Sequence, residues 1–470
     1  MLTGMARAFR PYNLDQQLML PPNLRDWVPE GHLALFISDV VDQSLDLSAI
    51  VKRYEEGDAR GGMPYHPSMM VKLLLYAYCT GKPSSRKIER ATFEDVGYRV
   101  LSGDQHPDHD SIADFRKRHL PALAGLFLQA LKLCEKAGLV KLGHVALDGT
   151  KVKANASKHK AMSYDRMCET EKRLDEEVKK LLEGAQQADA EEDEKYGKGR
   201  RGDELPKELA RRESRLTKIR EAKATLEKEA TERAELEAAE AWAKIAQREL
   251  AERETGEKPK GSGPKVPDVT QAKPAPKAQK NFTDPESRIM KDGATKGFEQ
   301  AYNAQAVVDA GAQVIVASAV TQEPNDKKQL VPMLEKVKEN LGEMPQKVSA
   351  DAGYFSEANI TDEKLGGVDL YVPPNREKHG AKPEEVSGPA PEGASVDEKM
   401  RHKLKTAEGR NVYKMRKAIV EPVFGQIKEA RGFRRFSFRG LSNVAAEWDF
   451  ICLTHNLLKL FRANWSPQPA

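Results

Sequence analysis

The chain has 470 residues, 39% of them apolar and only 6% aromatic, with 76 Lys and Arg against 72 Asp and Glu. That length allows two to four domains and a core large enough to fold without disulfide or metal staples. Four scattered cysteines (Cys79, Cys134, Cys168, Cys452) exclude a zinc ribbon or disulfide framework and fit a reducing, cytoplasmic compartment; the N-terminus lacks the apolar segment of a signal peptide, and no apolar run is long enough to span a bilayer.

Residues 1–138 read as a helical domain. Leu33, Phe36, Ile37, Val40 and Val41 recur at helical spacing, His66-Pro67 opens a second helix that stops at Gly81, and Ser84-Ser85 begins a third. Ser111 and Asp114 read as a capping box before a long helix ending at Gly138. The period then changes: His144 to Val152 reads as a strand whose apolar run ends at Asp148. Residues 161–255 are highly charged. Met167, Leu174, Val178 and Leu181, then Leu205, Leu209, Leu216, Ile219 and Leu226, define a heptad seam. The turn Tyr196 to Gly202 between the two runs predicts an antiparallel helical hairpin, the alternative being a solvated single helix. Residues 256–280 hold five Pro and six Lys and read as a disordered basic linker.

Strand patterning resumes at Phe298–Val308 and Val314–Val320. A helix is expected over Asn325–Leu341, a short strand over Lys347–Asp351, a helix from Ser356, a strand at Leu370–Val372, a Pro- and Gly-rich loop over 375–410, and helix again from Asn411. These elements divide into a helical N-terminal unit (1–138), a second unit made of 139–160 and 281–465, the inserted hairpin and the linker.

Two strands far apart in sequence each end in an Asp, Asp148 and Asp351, with Gly149 and Gly353 close behind. A third acid, Glu421, precedes Pro422 on the helix that carries Arg416, Lys428 and Arg431; the proline predicts a kink or a helix start there. Three oxygen donors without Cys or a His cluster suit Mg²⁺ or Mn²⁺. Two such ions can activate a water and stabilise the leaving oxygen of an in-line displacement at phosphorus. Phe424, Phe433, Phe436 and Phe438 interleave with Lys428, Arg431, Arg434, Arg435 and Arg439, a pattern suited to phosphate neutralisation and base stacking; Arg434, Arg435 and Arg439 are expected on DNA, with Phe424 among the buried rings.

These segments resemble bacterial insertion-sequence transposases of the DDE class. The resemblance rests on YHPSMMVKLLLYAYCTGKPSSRKIE, HPDHDSIADFRKRH, ALDGTKVKANAS, TDPESRIMK, YNAQAVVD, SADAGYFSEANI and YKMRKAIVEPVFGQIKEARGFRRFSFRG. It implies an α/β (α+β) fold: a ribonuclease-H-like mixed sheet flanked by helices, with an all-α, DNA-binding N-terminal domain. It implies Asp148, Asp351 and Glu421 as catalytic and metal-holding residues, with two ions per site. The Tyr-x2-Arg-x3-Glu-x6-Lys signature falls on Tyr413, Arg416, Glu421 and Lys428, except that four residues separate Arg416 from Glu421. The implied partners are terminal inverted repeats, target DNA and a second copy of the chain, with no membrane and a nucleoid-associated location. Two alternatives stand beside it: a nuclease on the same core without strand transfer, and a catalytically inactive DNA-binding protein. The hairpin reads equally as a solvated insert or as a dimerising or DNA-contacting arm. Asp284 is a candidate DNA or metal contact or an N-cap, Glu429 is the nearest competitor of Glu421, the His106–Asp110 cluster reads better as a turn and cap than as a metal site, and His455 and Trp448 read as structural.

Overall fold

The computed structural model describes residues 23–55, 63–196, 207–256, 261–291, 297–375 and 385–467. Its N-terminal helices are α1 (Leu33–Gln43), α2 (Ser48–Glu55), α3 (Pro67–Cys79), α4 (Ser85–Glu94), α5 (Val96–Ser102) and α6 (His109–Lys136). His66 caps α3, whose first residue is Pro67, where a missing amide hydrogen costs nothing. Helix α6 begins earlier than a Ser111 cap would place it. Asp108 is the cap, and its carboxylate accepts from the Ser111 amide at 2.7 Å.

The sheet follows: β1 (His144–Lys153), then β4 (Arg288–Lys291), β5 (Phe298–Asp309), β6 (Ile315–Thr321), β7 (Lys347–Ala350) and β8 (Asp369–Tyr371), with β2 (Ala161–Ser163) and β3 (Gln279–Asn281) forming a separate ribbon. β4 and β6 share one edge of β5, and the order continues β5-β1-β7-β8. β1 is antiparallel to β5 and parallel to β7, and β7 is parallel to β8. This mixed sheet with helices packed against it is the architecture expected of a ribonuclease-H-like core.

The remaining helices are α9 (Leu330–Leu341), α10 (Glu357–Ile360), α11 (Val396–Lys405), α12 (Ala407–Gly425) and α13 (Leu441–Arg462). Three expectations shift. The helix expected from Asn325 starts only at Leu330, leaving 325–329 as an irregular turn. The expected loop over 375–410 contains α11, which a Ser395/Glu398 capping box initiates. Pro422 lies inside α12 and starts no helix; the chain runs on into a π-helical turn, Gln426–Ala430. Such turns relax a helix by one extra residue and favour functional sites.

Apolar residues of α1, α3, α6, the sheet and α13 form one continuous core, so the N-terminal helices share their interior with the sheet. Helix α13 mediates this sharing: it packs on α6 and β6, and the Asn456 amide donates to the Ile315 carbonyl and accepts from the Ile315 amide, both at 2.9 Å. The insert has its own core. Helices α7 (Tyr164–Tyr196) and α8 (Lys207–Thr255) pack Met167 and Leu174 against Leu216, Ile219 and Leu226. Arg220 bridges Glu171 and Asp175 across the pair, which fixes the antiparallel register. The expected turn at 197–202 and the side chains of Leu181, Leu205 and Leu209 lie outside the described residues. At 49 residues α8 extends about 74 Å. Residues 261–280, expected to be disordered, lie against the hairpin: Arg248 donates to the Gly261 and Ser262 carbonyls, and the Tyr164 amide to the Ala278 carbonyl.

Because the insert's core is separate and its two ends meet in the β2–β3 ribbon, joining Ser163 to Gln279 by a short Gly/Ser turn should leave a folded chain. The expected loss in melting temperature is no more than about 5 °C. Thermal melting checks this, and an unfolded product would show that the arm packs essentially on the sheet.

Candidate active site

The site is set by β1 and its neighbours. Leu147 pairs with Ala350 of β7, and Asp148, Gly149 and Lys151 pair with Ala306, Gln305 and Asn303 of β5. β1 does not end at Asp148. It continues to Lys153 on β5, whereas its pairing with β7 stops at Ala350, so Asp148 and Asp351 stand where the two parallel strands part. Asp351 also caps the following turn, accepting from the Gly353 amide at 2.8 Å.

Between them stands an acid that the sequence pattern did not single out. Asp326, in the turn before α9, accepts from Asn303 Nδ2 at 2.6 Å and Gln305 Nε2 at 2.7 Å. Tyr354 donates its hydroxyl to Gln305 Oε1. Gly149 makes room for this group: a Cβ there would lie 2.4 Å from Gln305 Nε2, 2.7 Å from Asp326 Oδ1 and 2.9 Å from Asn303 Oδ1. Asn325-Asp326 resembled a helix start in the sequence, and nothing local distinguished it from a cap.

Helix α12 adds the remaining groups. Arg416, 10% exposed, bridges two acids: its Nη1 lies 3.0 Å from Asp148 Oδ2 and its Nη2 3.9 Å from Glu421 Oε1, Glu421 being 56% exposed. Tyr413 lies under the Arg416 guanidinium, 5.9 Å from ring centre. Lys428, on the π-helical turn, donates to Thr150 Oγ1 at 3.0 Å and to the Lys151 carbonyl at 3.1 Å. Arg416 and Lys428 thus contact β1 directly, and Glu421 is tied to it only through Arg416. Burial pushes the Asp148 carboxyl up to about 6; Arg416 opposes this, and Asp351 and Asp326 add to it. Burial lowers the Lys151 ammonium, while the same three aspartates act to hold its charge.

The arginines beyond Lys428 divide. Arg431 is buried, donating to Thr454 Oγ1 at 2.8 Å and facing the Ile451 carbonyl. Its guanidinium points into the core, not towards a phosphate, because the reversal after the π-helical turn places 431 beneath α13. Arg434, Arg435 and Arg439 are exposed, while Phe424, Phe433 and Phe436 are buried. The 434–436 backbone runs beside the end of β1: the Lys153 amide donates to the Arg434 carbonyl and the Phe436 amide to the Lys153 carbonyl. Glu429 is exposed and pairs with Arg434, away from Asp148. Asp284 is fully buried, accepting from the Tyr302 hydroxyl and from the amide of Gly440 at the start of α13. His106 stacks on Phe93 and His109 pairs with Glu89. His455 bonds the Gln313 carbonyl, and Trp448 donates to the carbonyl of Gln305.

As the side chains stand, no group of three or more Asp, Glu, His or Cys among the described residues is spaced to hold one ion. The donor set nonetheless suits a hard divalent cation. It comprises carboxylates only, beside the fully buried Asn303 Oδ1, which has no hydrogen-bond partner among the described residues.

Residues 22–118 match a transposase domain (DUF772), and residues 386–461 match a transposase DDE domain. The second match contains Arg416, Glu421 and Lys428; Asp148 and Asp351 lie outside both. No curated protein and no solved structure matches the chain. Two transposase domains, one at each end of the described chain, support a DNA transposase of the insertion-sequence DDE class. Among the described residues no helix is long and apolar enough to cross a membrane.

Two measurements check this geometry. The folded chain holds the Asp148 proton more tightly than the ordinary value of 3.8. The stability from this group is therefore present below that value and lost as pH rises through about 6. Melting from pH 4 to 7.5 should show Asp148→Asn gaining on the parent chain, by at most about 3 kcal/mol. Arg431→Ala should cost about 3 kcal/mol or more, because it leaves a cavity beneath α13 and removes a buried donor to Thr454 Oγ1. A surface arginine would cost little, and denaturant unfolding distinguishes the two.

Proposed function

We propose that this chain nicks the ends of a mobile DNA element and joins the freed 3′-hydroxyls to target DNA. The observation that carries this reading is the Asp148–Arg416–Glu421 bridge beside Asp351. It joins an acid inside the transposase-domain match to Asp148 outside it, with Asp351 in the field of Asp148. Each step is a displacement at phosphorus in which one P–O bond forms as another breaks: water attacks first, then the 3′-hydroxyl, with no covalent link to the protein. Asp148, Asp351 and Glu421 would hold two Mg²⁺ or Mn²⁺ ions. Bound there, the ions would activate the attacking oxygen and stabilise the leaving one.

The chain's own groups do the rest. Arg416 balances the charge of Asp148 from its Oδ2 side. Lys428, anchored on β1, presents positive charge beside the reacting phosphate. Arg434, Arg435 and Arg439 are exposed where the end of β1 meets the 434–439 segment, and they track the flanking backbone, where cationic contacts supply affinity without reading sequence. The helices of 22–118 are the candidate reader of the terminal repeats, and a second copy of the chain would pair the two ends.

Asp351→Asn keeps the side-chain shape and removes one charge. It should reduce nicking by at least about 100-fold and leave the mobility shift on the same DNA within about threefold, since phosphate contacts carry affinity. Near-normal nicking by this variant would overturn the reading. A strand-joining assay with free 3′-hydroxyl ends separates a transposase from a simple nuclease.

A further inference from the structure

We propose that Asp326 is a fourth carboxylate of the catalytic centre, presented by Asn303 and Gln305 so that its Oδ2 faces the cation-binding space bounded by Asp148 and Asp351. The inference rests on the metal-dependent reading above and adds a ligand to it.

The placement has three parts. Both hydrogen bonds to the Asp326 side chain fall on Oδ1, from two neutral amides two residues apart on one face of β5. No donor among the described residues bonds Oδ2, and a Cβ at Gly353 would lie 3.6 Å from that oxygen and 2.9 Å from Asp351 Oδ1. Asp326 Oδ2 and Asp351 Oδ1 therefore flank the same backbone position. Oδ1 overlies Gly149, the residue after Asp148. A carboxylate held for structural ends would be expected to take its partners on both oxygens, or to pair with a cation.

A second observation lies beside Asp326, on the Gly149 face of β1. Asn303 is fully buried, and its Nδ2 is committed to Asp326 and to the Glu323 carbonyl. That fixes the amide's orientation and leaves Oδ1 as a buried acceptor without a partner among the described residues, on the Gly149 side of the site. Such an orphan is costly in a finished core and is expected where a ligand, ion or bound water completes the structure. Tyr354 locks Gln305 in turn, so the presentation of Asp326 is fixed from the same turn that carries Asp351. Ligating acids are commonly oriented by such neutral neighbours.

Two experiments on the full-length chain test this. Asp326→Asn retains an oxygen for both amides and loses the charge. Calorimetric titration with Mn²⁺, without DNA, should show affinity lowered by roughly 10-fold or more, with the metal-free melting temperature unchanged. Mn²⁺ affinity within about twofold of the parent would overturn the proposal. If the variant fails to fold, the unmodified chain decides: with Fe²⁺ in place of Mn²⁺, hydroxyl radicals generated at the ion should cut the backbone at 323–329 as well as near 148 and 351. Cuts at 148 and 351 without 323–329 would overturn the role of Asp326 alone. No cuts at any of the three would overturn the metal-dependent reading itself.

Discussion

Strand β1 lies between antiparallel β5 and parallel β7, and its register decides which groups meet. Because side chains alternate across a strand, a slip of one residue would carry Asp148 to the other face and place Gly149 away from Gln305. The register is held by burial: Val145, Ala146 and Leu147 are fully enclosed, and Trp448 braces the Gln305 carbonyl from behind. Beyond Ala350 the two parallel strands separate, and the gap admits carboxylates from β1, from the turn after β7 and from the turn before α9.

Crowding acids in a partly buried gap raises their electrostatic cost, and the chain offsets it with few cations. Arg416 binds Asp148 and reaches Glu421, while the Lys151 ammonium lies in the field of the three aspartates. The buried Asp148 carboxyl remains harder to ionise than a free one. A gap lined by several carboxylates and few cations would favour a divalent ion. Asp326 differs in taking its hydrogen bonds from neutral amides, with Lys151 as the cation in its field.

The platform beneath is unusually continuous for a chain with an added helical unit. Arg116 of α6 donates to the Pro83 carbonyl at 2.5 Å and stacks over Phe438, while Glu447 of α13 accepts from the Ser437 and Phe438 amides. Cation, ring and carboxylate thus join the N-terminal helices to the segment that displays Arg434, Arg435 and Arg439. The N-terminal helices and the acidic gap therefore sit on one shared core. The hairpin arm, by contrast, leaves this platform through a two-stranded ribbon and keeps a small core of its own.

Hydrophobic periodicity with local cap and stop signals located α1, α3, α4 and α6, the paired arms of the insert, and strands β1, β5 and β6, because each buries a face whose spacing is written locally; α2 and α5 carried no such signal. Chemistry alone singled out Asp148, Asp351 and Glu421, since carboxylates beside glycine, or on a helix with Arg and Lys, stand out from solvated charge. Local pattern failed where long-range packing decided. Arg431 and Arg434 look alike in sequence, yet the turn after Ala430 sends one under α13 and the other to the surface. Asp284 read as a DNA or metal contact or a cap, and it is buried against Tyr302 and Gly440. Asp326 fell inside the helix expected from Asn325, and only the pairing of β5 with β1 brings Asn303 and Gln305 to it across Gly149. Spacing along the chain records which face a residue takes, whereas its neighbours on that face come from strands that meet only after the sheet has formed.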